Sequence, residues 1–166
     1  MEAPANQSET STGSSLPKSV TTGRPTYNGR VHGVVVACYR PSDKKWLMIR
    51  RSEHVPAPLM ICFPGGAREE GEALDIAALR EMKEEVGADV TLLEQVWYYE
   101  LDDKPLTLYG FLAKLDDDFS TLTHDPAEVK EILWLTTEEA LAHPDAIGNS
   151  RFFLKELTAS LPKHGL

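Results

Sequence analysis

Residues 66 to 88, GAREEGEALDIAALREMKEEVGA, constrain this chain more than any other stretch. They read as a glycine turn, a helix dense in carboxylates and a glycine stop. The spacing predicts a helix over about Ala73 to Val86. Ala, Leu, Glu, Met and Lys dominate it, and all are good helix formers. Glu72 and Asp75 stand in or just before the first turn, where they suit the positive end of the helix dipole. Gly87 fits the position just past the end. At about 100° per residue, Ile76, Leu79, Met82 and Val86 fall on one stripe, the expected core face. Glu81, Glu84 and Glu85 share a different arc, with Ala77 and Ala78 leaving space one turn before them.

That carboxylate cluster is locally unfavourable. Glu81 and Glu85 are like charges at i,i+4, which costs roughly 0.2–0.5 kcal/mol. All three carboxylates oppose the dipole near the helix C-terminus, at roughly 0.3–1 kcal/mol each. A cation is expected to offset this. Hard oxygen donors on a rigid element suit Mg²⁺ or Mn²⁺ rather than zinc.

Gly66, Glu72, Arg80, Glu81, Met82, Glu84, Glu85, Gly87 and Ala88 together resemble the Nudix box, G-x5-E-x7-R-E-U-x-E-E-x-G-U, where U is aliphatic. Ala88 is smaller than the usual final aliphatic residue. The lead-in Phe63-Pro64-Gly65-Gly66 extends the likeness. The resemblance implies an α/β fold, a three-layer α/β/α sandwich around a central mixed sheet. It implies metal-dependent hydrolysis of the diphosphate linkage in a nucleoside diphosphate joined to another moiety. Glu81, Glu84 and Glu85 match the box's metal-binding carboxylates, with Mg²⁺ or Mn²⁺ as cofactor. Glu72 and Arg80 match its structural ion pair, and Gly66 and Gly87 its turn and stop. The catalytic base is either Glu81 or Glu128, the latter in HDPAEVKEILWL ahead of Trp134; Glu131 is the fallback. ADP-ribose, other nucleotide sugars and nucleoside triphosphates are the substrate candidates. The alternative is a non-catalytic Nudix module that senses a nucleotide.

The rest of the chain reads as alternating strands and helices. Strands are expected over Val31–Tyr39, Trp46–Arg51, Val90–Leu101, Leu106–Leu115 and Val129–Leu135, the first two pairs as hairpins. Residues 52 to 62 read as a loop. A short helix over Thr137–Ala142 starts on a capping sequence, and Arg151–Leu161 forms a terminal amphipathic helix. Arg50 and Arg51 point to opposite faces of their strand, and Arg51 is the candidate for binding a substrate phosphate. Trp97, Tyr98 and Tyr99 are expected to pack the sheet faces, with stacking on a base as the rival role. Asp116–Asp118 reads as a solvated loop.

Residues 1 to 28 are rich in Ser, Thr, Pro and Gly and nearly free of large apolar side chains, so a disordered tail is expected there. Residues 29–166 form one Nudix domain by this reading. The net charge of −9 argues against a nucleic-acid polymer as partner. A small phosphorylated nucleotide remains suitable, since a metal ion supplies positive charge. Two scattered cysteines, Cys38 and Cys62, suit buried positions in a reduced, cytoplasmic protein. No membrane association is expected, and a homodimer is left open.

Overall fold

The computed structural model describes residues 23–116 and 122–166. The expected tail therefore lies outside the described residues, except for its last six positions. So do Asp117 and Asp118 of the acidic loop.

Eight strands and three helices are described: β1 (Thr26–Tyr27), β2 (Arg30–Arg40), β3 (Lys45–Arg51), β4 (Ile61–Cys62), β5 (Gly65–Ala67), α1 (Leu74–Val86), β6 (Val90–Glu100), β7 (Leu106–Leu115), β8 (Val129–Thr136), α2 (Thr137–Ala142) and α3 (Gly148–Ser160). A 3₁₀ turn, Leu161–His164, closes the chain. Strand order is β4-β3-β2-β7-β6, with β1 and β5 added to β2 and β8 added to β3. The β2–β7 pairing is parallel, from Val31↔Leu106 to Cys38↔Ala113, and the other ladders are antiparallel.

Period-two alternation sends the side chains of each strand into two cores. Val34, Val36, Cys38, Leu47 and Ile49 meet Ala77, Ala78, Met82 and Val86 of α1. Ala37, Trp46, Met48, Trp97 and Leu112 face the other way, against Ala140, Phe153, Leu154 and Leu157 of α2 and α3. The result is the expected three-layer sandwich. No helix among the described residues is long and apolar enough to cross a membrane.

The first expected hairpin exists but is short. β2 and β3 pair only at Tyr39↔Trp46 and Arg40↔Lys45. β3 pairs with β8 along its whole length on its other edge, and farther along β2 its place is taken by β5, with Gly33↔Ala67 and Val35↔Gly65. This split carries the Pro-Gly-Gly turn to the middle of the sheet, under α1.

Several expectations need correction. Ile76 and Leu79, assigned to the core stripe, are 52% and 37% exposed. Helix α1 instead buries Ala77, Ala78, Glu81, Met82, Glu85 and Val86. The two alanines let the helix approach β2 closely, and the glycines of β5 leave room for the glutamates. Thr26 and Tyr27, inside the expected tail, pair with Val31 and Arg30. Ile61 and Cys62, read as loop, pair with β3. The last α-helix starts at Gly148, ahead of the expected Arg151. Trp97 is buried as expected, whereas Tyr98 and Tyr99 are 54% and 39% exposed. Cys38 and Cys62 are both buried free thiols.

Candidate active site

The site begins with two glycines at which a side chain would collide, with backbone at Gly65 and with the Glu81 carboxylate at Gly66. A Cβ on Gly65 would stand 3.0 Å from the Val34 carbonyl carbon and nearer still to its oxygen. A Cβ on Gly66 would stand 2.7 Å from Glu81 Oε2. The Glu81 carboxylate therefore rests directly on the β5 backbone. One turn later, Glu85 Oε2 accepts a long hydrogen bond of 3.4 Å from the Gly65 N–H. Gly87 ends α1 in the left-handed conformation, φ 67°, with its N–H on Lys83 O.

Glu81 and Glu85 are only 6% and 7% exposed, while Glu84 is exposed. Burial pushes the Glu81 carboxyl up to about 7, against the opposing pull of Arg80. Burial also raises Glu85 well above the usual carboxylate range, and the charges of Glu81 and Glu128 push it further in the same direction. Two neighbouring buried carboxylates, of which Glu81 alone is hydrogen-bonded to a cation, are an unfavourable arrangement that a divalent ion would relieve.

Arg80 is the hub on the other side. Its Nε and one terminal nitrogen each donate to Glu72 at 2.8 Å, a bidentate pair. The same guanidinium reaches Glu81 Oε1 at 3.0 Å, Glu84 Oε2 at 3.2 Å and the Ala67 carbonyl at 3.0 Å. The guanidinium holds the Glu72 carboxyl below its ordinary range. Arg80 thus ties the loop before α1 to both the helix and β5. Among the described residues no group of three His, Cys, Asp or Glu side chains already stands as a metal cage. Arg80 itself holds Glu81 and Glu84.

Glu128 is exposed at the tip of the loop before β8, near enough for its charge to act on both Glu81 and Glu85. Two residues not singled out in the sequence hold it there. Ser52, 3% exposed at the end of β3, donates its hydroxyl to Ala127 O at 2.7 Å, and its N–H donates to Glu128 O at 3.0 Å. Asp125 accepts from the Ala127 N–H at 2.9 Å, closing the turn. A serine after two strand arginines, and an aspartate in an Asp-Pro pair, carry turn chemistry only; neither position signals this pairing of distant segments.

The other candidates separate. Glu131, the fallback base, is bound by Arg50 at 2.9 Å, and Arg50 also holds Asp145. Arg51 lies within electrostatic reach of Glu85. Its Nε already donates to Pro56 O at 2.6 Å, and a terminal nitrogen lies 3.7 Å from Cys62 Sγ.

Comparison with known proteins agrees with this geometry. A 91-residue segment is 34% identical to a protein described as an uncharacterised Nudix hydrolase of Rhodococcus erythropolis, covering 49% of each chain. A 54-residue segment is 45% identical to an 8-oxo-dGTP diphosphatase of Proteus vulgaris, covering 31% of this chain and 47% of that one. These matches span about half the length of either relative. The fold matches that of a MutT protein from Methanosarcina mazei with a TM-score of 0.67, at 20% identity, over 81% of this chain and 98% of the other. The NUDIX domain model matches residues 30–155, which take in the glycine pair, helix α1 and the Glu128 loop, and the chain belongs to the Nudix hydrolase family.

Proposed function

We propose that this chain hydrolyses the diphosphate linkage of a nucleoside diphosphate joined to another moiety, with Mg²⁺ or Mn²⁺ as cofactor. One observation carries the reading: Glu81 and Glu85 are buried together on a glycine floor, with the exposed Glu84 and Glu128 at their open side. The donor set fits a hard divalent ion, being all carboxylate oxygen. Glu81, Glu84 and Glu85 would hold it, with Glu128 as a further ligand or as the base. When bound, such an ion neutralises charge developing on the diphosphate and acidifies water.

The chain's own residues do the rest. Arg80 would keep its bidentate grip on Glu72 while Glu81 and Glu84 turned to the ion, and so would hold the loop before α1 against the helix. Glu128, anchored by Ser52, orients the attacking water or takes its proton. Glu81 is the competing base, because its carboxylate lies on the β5 backbone beside Glu85 and within the charge of Glu128. The two buried free thiols suit a reduced, cytoplasmic setting.

Substrate candidates are ADP-ribose, other nucleotide sugars and nucleoside triphosphates, oxidised ones included. The test is a panel of these compounds with Mg²⁺ and Mn²⁺, the products resolved by chromatography. Metal-dependent release of two phosphorylated products, or of pyrophosphate and a monophosphate, is expected. Binding across the panel without any product would replace this reading with that of a nucleotide-sensing module.

A further inference from the structure

Most half-buried arginines of this chain are committed to protein acceptors. Arg30 donates to Thr107 Oγ1 and to the Leu101 and Leu106 carbonyls, Arg40 pairs with Asp43, and Arg50, Arg51 and Arg80 are engaged as described above. Arg68 is different. Its guanidinium carbon lies 3.4 Å from the centroid of the Tyr27 ring. The ring is fixed on both sides of that contact: Tyr27 stacks on His32 at 4.9 Å, and its hydroxyl donates to Glu69 O at 2.8 Å. The Arg68 main chain is fixed as well, its N–H donating to His32 O at 2.8 Å. Yet Nε of Arg68 is buried without a hydrogen-bond partner among the described residues, and the guanidinium acts on Glu72 and His32 through its charge. A guanidinium held this rigidly, and not bound to a carboxylate of the described residues by any hydrogen bond, is preorganised to meet an anion with its terminal nitrogens.

Its position fits the reaction centre. The Arg68 N–H continues the β5–β2 ladder, so strand alternation places Arg68 on the same face as Gly66, roughly 6–7 Å along the strand. Gly66 is where the Glu81 carboxylate rests. With a net charge of −9, a polyanionic substrate needs every available cation at this site. We propose that Arg68, braced on Tyr27, binds a substrate phosphate beside the one held over the carboxylates. The inference rests on the diphosphate-hydrolase reading above and assigns it a specificity residue.

The expected effect of Arg68→Gln is a KM raised roughly 10- to 100-fold, the scale of a lost hydrogen bond to a charged group, with kcat within a few-fold of the parent. That split marks binding shared by ground and transition states. Arg68→Lys should recover part of the loss, since it keeps the charge without the planar fork. Isothermal titration with inorganic pyrophosphate and Mg²⁺ supplies a readout independent of turnover, and Arg68→Gln should weaken that binding by a similar factor. An unchanged KM accompanied by a lowered melting temperature would show a purely structural arginine and overturn the proposal. So would equal pyrophosphate affinity in both proteins, including no affinity in either. Glu85→Gln separates the two readings: if it keeps parent turnover, the metal-site reading fails whatever Arg68 does.

Discussion

The metal-free protein should lose stability as pH rises from 5 to 8, and Glu81→Gln should remove much of that loss. Burial moves the Glu81 carboxyl from an ordinary value of 4.5 to about 7 in the folded chain. Between those values the unfolded chain has released its proton while the folded chain keeps it. Fewer protons are then bound in the unfolded state, so stability falls with rising pH. The full shift corresponds to about 3 kcal/mol, of which about 2.5 kcal/mol lies between pH 5 and 8. For a domain of this size that is a drop of about 8 °C in melting temperature. Glu85 acts with the same sign. His32 opposes it, because burial lowers its imidazole range and stability gained there rises with pH. Asp43, Glu72 and Glu94 are depressed, so their contributions are lost only below the ordinary carboxylate range, outside the window. The parent-minus-variant difference reports Glu81 together with the part of the Glu85 shift that the Glu81 charge causes. The assay is calorimetry of both proteins in EDTA across this range, repeated with Mg²⁺, which should flatten the parent's slope by favouring the ionised carboxylate. Parallel pH slopes for parent and Glu81→Gln would refute the assignment of a buried, proton-retaining Glu81.

Glu84→Gln and Glu85→Gln should each keep the fold and lower turnover at least about 100-fold on any substrate the parent hydrolyses, as single-turnover kinetics would show. Glu128→Gln should cut turnover with unchanged Mg²⁺ affinity if it is the base, and weaken Mg²⁺ affinity in titration if it is a ligand. Gly66→Ala should lower stability by about 1–3 kcal/mol in thermal melts, because its methyl group and the Glu81 carboxylate need the same space. Ser52→Ala should lose about 1 kcal/mol in chemical denaturation with its bond to Ala127 O, and should lower kcat more than it raises KM. Ser52→Thr should restore kcat if the hydroxyl is what positions Glu128.

Helix α1 was readable because its formers are dense and Gly87 ends it, both local effects. Which face it buries was not. An apolar stripe through Ile76 and Leu79 is the right inference for a helix lying on a floor of side chains. Here part of the floor, under Glu81 and Glu85, is Gly65 and Gly66, and room for carboxylates follows from a strand only three residues long. That strand carries no period of its own, so nothing in Gly65–Ala67 distinguishes pairing from a turn. The metal-type carboxylates followed from their unfavourable crowding and from the family pattern. Glu128 was reachable only through the resemblance, since an exposed glutamate in a loop has no local signature. Ser52 and Arg68 depend on contacts with segments far away in sequence, at Ala127 and at Tyr27.

The parallel ladder between β2 and β7 joins residues about seventy-five positions apart, Val31 to Leu106, and the whole of α1 lies inside the loop it closes. Closing so long a loop is entropically slow, and parallel pairing rewards it late. During synthesis the glycine floor and α1 leave the ribosome well before β7, and the Glu128 loop follows later still. One edge of the central β2 strand stays open throughout that interval, an aggregation hazard for a nascent chain. Glu81, Glu84 and Glu85 share one helix, but Glu128 reaches them only once β8 has paired with β3, so full metal affinity should appear late in refolding, after the helical signal.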